Sequence, residues 1–237
     1  MKGGEGLAYR LNWLETVFFI FLLLIALFVF LRSAFFNIDT VEVVGTTRLS
    51  EQEVKKVAQI EYGTSIFKIN TGEVEARLRR LTLVKDASVV RKLPRTVLIN
   101  IEERRPRVLL FQDNAFWEVD EEGVLLERVS IEKSDLPLAT GVRPGDAVWP
   151  AVMRVANALD SLGGVRFAEI HGGRDGKITA YTVDGVEIRL GTASEEELGA
   201  QVAILDDVLK AAREQGGKVI YVDLSDPRRP VVKYAEG

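Results

Sequence analysis

The sequence contains no cysteine and a single histidine, His171, among its 237 residues. A chain without cysteine has no disulfide framework, no thiol nucleophile and no thiolate zinc site. One imidazole cannot build a metal site from several histidines, and a Ser-His-Asp triad would have to use His171 itself. Many common catalytic and metal centres are therefore excluded before any motif is considered.

An excess of positive charge is also missing. The chain has 31 Lys+Arg against 35 Asp+Glu, a formal net charge of -4. A nucleic-acid-binding domain would be expected to carry a basic face, so we expect no nucleic-acid partner. The composition is 47% hydrophobic and 28% charged, which is typical of a folded protein and excludes a disordered or collagen-like chain.

The longest uncharged run lies near the N-terminus. Residues 16–31 read TVFFIFLLLIALFVFL, and apolar residues continue on both sides. About 20 helical residues, at about 1.5 Å each, cover the roughly 30 Å hydrocarbon core of a bilayer. The alternative, a buried helix of a soluble domain, would need a protein core on every side of the segment. We predict a transmembrane helix over residues 13–35, in contact with the lipid bilayer.

A cleaved signal peptide is the second alternative for this run. The run is too long for a typical signal-peptide core, and Arg32-Ser-Ala-Phe-Phe36 has no small-x-small cleavage site. Lys2 and Arg10 precede the run, whereas Arg32 and Arg48 follow it, so the positive-inside bias is weak but favours a cytoplasmic N-terminus. We therefore predict residues 1–12 in the cytoplasm and the remainder outside it.

Charge divides the part of the chain that follows the span. Residues 37–105 carry 13 Lys+Arg and 10 Asp+Glu, whereas residues 106–237 carry 15 and 23. The change falls at Glu102-Glu-Arg-Arg-Pro106, where a predicted strand ends in charges and a proline. This predicts two domains, 37–105 and 106–237, and both sizes suit compact domains.

The first of these domains shows a β-α-α-β-β pattern. Ser50 and Glu53 form a capping box, which predicts that a helix begins at Glu51. Asn70 is a good N-cap for a second helix. Strands follow from the alternation of apolar and polar residues. These strands are predicted at 38–44, 87–90 and 96–102.

The second domain mixes strands and helices. Apolar stripes predict a helix that stops at Gly163-Gly164 and a longer one that stops at Gly216-Gly217. Strands are predicted at 108–111, 115–119, 123–127, 165–170, 178–183, 186–190, 218–224 and 231–234. An α+β fold with a mostly antiparallel sheet and helices on one face fits this order best.

Two Ser-x-x-Lys sequences could indicate a cell-wall enzyme, because a lysine one helical turn from a serine can activate it. They are Ser65-Ile-Phe-Lys68 and Ser130-Ile-Glu-Lys133, but the partner motifs Ser-Asp-Asn and Lys-Thr-Gly are missing. We therefore expect no catalytic residue.

Two further motifs suggest ligands but are better explained as turns. Gly172-Gly-Arg-Asp-Gly-Lys177 lacks the phosphate-loop pattern and predicts a hairpin turn. The consecutive carboxylates Asp120-Glu121-Glu122 lack the spacing of a calcium loop and predict a solvated turn, in which Gly123 takes positive φ. We expect no metal, no cofactor and no small-molecule substrate.

Several segments together resemble the FtsQ/DivIB family of bacterial cell-division proteins, which have one membrane anchor, a POTRA domain and a C-terminal β domain. The matching segments are Ile38-Asp-Thr-Val-Glu-Val-Val-Gly45, Gly63-Thr-Ser-Ile-Phe-Lys-Ile-Asn70, Val84-Lys-Asp-Ala-Ser-Val-Val-Arg-Lys-Leu-Pro94, Thr96-Val-Leu-Ile-Asn-Ile-Glu-Glu-Arg-Arg-Pro106, Phe116-Trp-Glu-Val-Asp-Glu-Glu-Gly-Val-Leu-Leu126 and Tyr221-Val-Asp-Leu224. The resemblance covers about residues 13 to 234, and its strength lies in the order of the segments.

The resemblance implies a divisome scaffold, not an enzyme. Such a protein binds FtsB/DivIC-like and FtsL-like bitopic partners and helps to recruit and regulate septal cell-wall synthesis. It lies in the plasma (inner) membrane at the septum, single-pass and type II. An alternative is a POTRA-containing component of an outer-membrane assembly or secretion system, although this chain has no series of about ten-residue alternating strands.

The last predicted strand, 231–234, is the candidate binding site. Pro230 suits an edge strand, and an edge can accept a strand from another chain. The alternative is an edge that Pro230 and the nearby charges protect. The resemblance favours binding, because in FtsQ/DivIB proteins the FtsB/DivIC partner docks on the corresponding terminal strand by strand addition. It implies Tyr221, Ser225, Asp226, Val231, Val232, Lys233 and Tyr234 as partner-binding residues, with Ser225-Asp226 replacing an Arg-aromatic pair.

Overall fold

A computed structural model of the protein describes residues 13–160, 165–214 and 218–235. The predicted cytoplasmic segment and the two glycine pairs predicted to end helices lie outside the described residues. The chain divides into two compact units, Met1–Glu103 and Arg104–Gly237.

The first unit begins with a long apolar helix and continues as a small α+β domain. Its elements are α1 (Trp13–Leu31), a 3₁₀ turn (Ala34–Phe36), β1 (Thr40–Val44), α2 (Glu51–Ala58), α3 (Thr71–Leu78), β2 (Val84–Lys92) and β3 (Thr96–Glu103). The sheet order is β1-β3-β2, with β1 parallel and β2 antiparallel to β3. The β-α-α-β-β order predicted from the sequence is confirmed.

The two short helices begin where their capping residues predict. The Ser50 side chain accepts the Glu53 amide while the Glu53 carboxylate accepts the Ser50 amide, so α2 starts with a reciprocal capping box. The Asn70 side chain accepts the Glu73 amide at the start of α3. Each helix then buries one apolar face against the sheet, with Val54 and Leu78 fully enclosed.

Glu103, at the end of β3, fixes the loop that precedes α2. Its carboxylate accepts the Arg48 amide at 2.9 Å and the Leu49 amide at 2.8 Å. Burial alone would raise the pKa of the Glu103 carboxyl, but the amides of Leu49, Arg48 and Thr47 outweigh it and the pKa is lowered. The charged form therefore stabilises the fold.

Glu103→Gln is expected to lower the unfolding free energy by about 1 kcal/mol at neutral pH, because a neutral amide accepts weaker hydrogen bonds than a carboxylate. A lowered folded-state pKa contributes stability above the unfolded value, taken as 4.5, and that contribution is lost as the pH falls through the folded pKa. Urea unfolding at neutral and acidic pH measures both effects. If the variant lost as much stability on acidification as the wild type, Glu103 would not be the group responsible.

The second unit is built on one large sheet with two helices. Its elements are β4 (Pro106–Gln112), β5 (Ala115–Asp120), β6 (Leu125–Val129), a 3₁₀ turn (Ile131–Lys133), β7 (Leu138–Thr140), α4 (Trp149–Asp160), β8 (Phe167–Gly172), β9 (Ile178–Thr182), β10 (Glu187–Gly191), α5 (Glu195–Glu214), β11 (Val219–Asp223) and β12 (Val231–Tyr234). The strand order is β12-β11-β10-β9-β8-β7-β4-β5-β6.

Most pairings in this sheet are antiparallel, as predicted, although β4–β7, β7–β8 and β10–β11 are parallel. Residues of α4 and α5, such as Val152 and Leu205, are fully buried in the same core as Ile188 of β10. The α+β class with a mostly antiparallel sheet is confirmed.

One sequence prediction about this unit is wrong. The Asp120-Glu121-Glu122 turn was expected to be solvated, but Asp120 is only 2% exposed. Its carboxylate accepts the amides of Glu122 and Val124 at 3.0 and 2.8 Å, and it pairs with Arg104 at 2.5 Å. Gly123 does take positive φ, at 86°. Asp120 is therefore an internal support of the hairpin.

Candidate partner-binding edge

β12 is the terminal strand of the nine-stranded sheet, so one of its sides pairs with β11 and the other has no neighbouring strand among the described residues. Pro230 directly precedes it. The register pairs Val222 with Val232 and Asp223 with Val231. The candidate residues 231–234 therefore lie at an open sheet edge.

The direction of each amide on β12 follows from its neighbour Ala235. Ala235 donates its amide to the Lys218 carbonyl oxygen at 2.8 Å, on the β11 side. Amides of an antiparallel strand point alternately to its two sides. Counting back from Ala235, the amides of Lys233 and Val231 point toward β11, and the amides of Tyr234 and Val232 point toward the open edge.

The side chains of β12 divide between two faces. Val232 and Tyr234 are half-buried and pack against the core of the second unit. Val231 is 53% exposed and Lys233 is also exposed, on the opposite face. Tyr234 is therefore part of the unit's own packing, whereas Val231 and Lys233 are presented to solvent.

Tyr221 of β11 lies beside this exposed face, directly opposite Lys233 in the register. The Arg189 guanidinium lies 4.1 Å from the centre of the Tyr221 ring and donates to the Glu187 carboxylate at 2.7 Å. The hydrogen bond to Glu187 raises the pKa of Arg189. The charged pair and the ring form a fixed polar surface next to β12.

Sequence reasoning did not include Glu187 and Arg189. The sequence pattern that could have identified them is the presence of two charges at alternate positions of a predicted strand, because such positions lie on the same face. Tyr221 was identified, but its contact with Arg189 depends on the parallel pairing of β10 with β11.

Ser225 and Asp226 lie in the turn between β11 and β12 and are both exposed. The Asp226 carboxylate accepts the Arg228 amide at 3.0 Å, and the Ser225 amide donates to Asp223 at 2.9 Å. These hydrogen bonds shape the turn that returns the chain to the sheet edge. The two residues therefore lie in the turn that leads into β12.

A buried glutamine, also missed from the sequence, holds the base of this turn. Gln201 of α5 is fully buried and donates to the carbonyl oxygens of Leu190 and Leu224 at 3.1 and 2.9 Å. Leu224 directly precedes the turn. Gln201 therefore ties the ends of β10 and β11 to the helix and fixes where the turn begins.

The other residues considered from the sequence lie in other elements of the chain. Ser65 lies in a turn in which its carbonyl accepts the Lys68 amide at 2.9 Å, and Ser130 precedes a single 3₁₀ turn. His171 contacts the Thr140 hydroxyl at 2.8 Å. Across residues 13–160, 165–214 and 218–235, no group of three His, Asp or Glu side chains could hold a metal ion.

Comparison with protein families gives two consecutive matches. The FtsQ-type POTRA domain matches residues 36–104, and the C-terminal region of the cell division protein FtsQ/DivIB matches residues 109–225. Together they cover most of the chain. The second match ends before β12, so the candidate edge strand lies beyond it.

Individual relatives are similar over different lengths. The cell division protein FtsQ of Streptomyces bingchenggensis is 36% identical over 45% of this chain and 40% of its own length. FtsQ of Syntrophotalea carbinolica is 23% identical over 86% of this chain and 76% of its own. The cell division protein DivIB of Geobacillus kaustophilus is 29% identical over 73% of this chain and 67% of its own.

Proposed function

This chain belongs to the FtsQ/DivIB family of bacterial cell-division proteins, and from this we propose that it is a single-pass scaffold that binds FtsB/DivIC-like and FtsL-like partners. Through them it helps to recruit and regulate septal cell-wall synthesis. The observation that carries the proposal is the open edge of β12, with the Val232 amide directed away from the sheet. Such an edge accepts a partner strand through main-chain hydrogen bonds.

The experiment for this proposal is co-purification from membranes of dividing cells. The FtsB/DivIC-like and FtsL-like proteins should be recovered with the wild-type chain and reduced with a chain truncated after Arg229. Equal recovery with both chains would place the partner contact elsewhere.

The apolar helix α1 supports the membrane part of the proposal. It has 19 residues, which at about 1.5 Å each span about 28 Å, close to the hydrocarbon thickness of a bilayer. Its mean hydropathy is 2.9, and no part of it is buried against the rest of the described chain. We place residues 1–12 in the cytoplasm, 13–35 in the membrane, and the domains 37–105 and 106–237 outside.

Membrane topology provides a direct test of this arrangement. Alkaline phosphatase fused after Gly237 should be active, because the enzyme matures only outside the cytoplasm. The protein recovered from membranes should also retain the residues that precede α1, since no cleavage site follows it. An inactive fusion, or a processed N-terminus near residue 34, would contradict the arrangement.

We infer no catalytic role for the two serines. Neither Ser65 nor Ser130 lies on a helix with its lysine one turn later, as the penicillin-binding motif requires. Ser65→Ala and Ser130→Ala should leave division intact, and a fluorescent β-lactam should not label the wild type. Covalent labelling at either serine would instead support a cell-wall enzyme.

A further inference from the structure

The chain leaves α1 through a short, hydrogen-bonded connection. The Ser33 amide donates to the Phe30 carbonyl at 3.0 Å, and the Phe36 amide donates to the Ser33 carbonyl at 3.2 Å, which forms the 3₁₀ turn Ala34–Phe36. Phe36 is then buried in the core of the first unit at 7% exposure. The first residues of that domain are therefore held at the end of the helix.

A cluster of phenylalanine rings lies at this junction. The Phe36 ring is 5.2 Å from the Phe30 ring in the last turn of α1 and 5.1 Å from the Phe35 ring. On its other side it is 5.2 Å from Phe67. Phe35 and Phe67 are 53% and 44% exposed, so the cluster presents an apolar surface outside the core.

Phe67 belongs to Ser65-Ile-Phe-Lys68, the segment first considered for its serine and lysine. The Ile66 amide donates to the Phe36 carbonyl at 2.9 Å, which holds the segment against the chain that leaves the helix. Ile66 is buried, whereas Phe67 and Lys68 point outward. The segment is therefore a fixed tip beside the end of α1.

Distances keep this tip close to the end of α1. The two separations of 5.2 Å put the Phe67 ring no more than about 10 Å from the Phe30 ring. If α1 spans the hydrocarbon core, Phe30 lies at its boundary, and the headgroup region continues for about 5 to 8 Å beyond. Phenylalanine, like tryptophan and leucine, occurs on the apolar faces of segments that lie in the membrane interface. Flanking cations such as Arg32 and Lys68 can reach the phosphates.

We propose that Phe35 and Phe67 insert into the interface of the lipid bilayer and hold the first extracytoplasmic domain on the membrane surface. The proposal rests on the proposed role of α1 as a transmembrane anchor. The occupant of the apolar surface is lipid, because the rings adjoin the last turn of the membrane helix. Ser65-Ile-Phe-Lys68 is then a membrane-contact segment.

Because the chain has no cysteine, a single introduced cysteine can carry a nitroxide spin label. The full chain would be reconstituted in vesicles of phosphatidylethanolamine and phosphatidylglycerol, with labels at Phe67→Cys, Phe35→Cys and Leu23→Cys. Val44→Cys is the control, since Val44 is 47% exposed but lies at the far end of β1. Collision rates with oxygen and with a water-soluble nickel chelate report the depth of each label.

The ratio of oxygen to nickel collisions is expected to be several-fold higher at positions 35 and 67 than at 44, and highest at 23 within α1. A label at 67 as exposed to nickel as the label at 44 would overturn the proposal. A label at position 23 that collides readily with nickel would show that α1 does not span the membrane. If the label at 23 collides mainly with oxygen but the label at 67 collides readily with nickel, only the interfacial contact is rejected.

A second measurement places the label at position 68, so that Phe67 keeps its own side chain and the label does not take its place in the membrane. A label at Lys68→Cys should become several-fold more exposed to nickel when Phe67→Asp is added, with a thermal melt to check the fold. An unchanged depth at 68 would also overturn the proposal.

Discussion

Val232→Pro is expected to weaken binding of the FtsB/DivIC-like partner about 30-fold, whereas Val232→Ala should change it far less. Proline at position 232 removes one of the two β12 amides that point to the open edge by the alternation from Ala235. A partner carbonyl left without its donor costs about 2 kcal/mol, which corresponds to about a 30-fold change in dissociation constant. Titration of the extracytoplasmic part, residues 37–237, with the partner's extracytoplasmic segment measures both variants.

Alanine is the matched control because it removes the Val232 side chain, which packs against the core, but keeps the amide. Thermal melts separate a local effect from a loss of folding. Tyr234→Ala is a less clean test, since the Tyr234 ring also packs against the core and its loss lowers stability. Equal affinities for the proline and alanine variants would show that the edge amide of Val232 is not used.

Arg104→Ala is expected to destabilise the second unit by about 3 to 5 kcal/mol, because it leaves the buried Asp120 carboxylate without its cation. The Arg104 guanidinium donates to Asp120 at 2.5 Å and to Glu122 at 2.7 Å, and the Asp120 side chain is only 3% exposed. The hydrogen bond to Glu122, followed by that to Asp120, raises the pKa of Arg104 against the opposing effect of burial. Urea unfolding of residues 37–237 gives the change in free energy.

Arg105→Ala is the matched control, since Arg105 is the adjacent residue and is exposed. Substitutions at exposed positions typically change stability by about 0.5 kcal/mol or less. Similar losses in both variants would mean that the effect comes from the loss of local positive charge and not from the pairing with Asp120.

Local signals in the sequence identified much of the fold. The Ser50–Glu53 capping box located the start of α2, and the alternation after Val97 located β3. β7 was missed because a strand of three residues is too short to show alternation. Asp120 was misjudged because its cation, Arg104, lies 16 residues earlier in the chain. Pairing between distant segments leaves no local pattern.

At the candidate edge, too, local patterns predicted the strand but not its contacts with distant segments. Pro230 and the short run after it indicated an edge strand, and the structure places residues 231–234 at the end of the sheet. The Arg189–Tyr221 contact joins residues on strands that pair only after α5 has crossed between them. Gln201 did have a local signal, since a polar residue interrupts the inward stripe between Leu198 and Leu205.

The central claim is that a partner strand pairs with β12, and amide hydrogen exchange at Val232 tests it most directly. With the FtsB/DivIC-like segment at saturation, exchange of the Val232 amide should slow strongly, because that amide would then donate to the partner strand. The amides of Val231 and Lys233, which point toward β11, should change much less. Unchanged exchange at Val232, with new protection in another segment, would contradict strand addition at this edge.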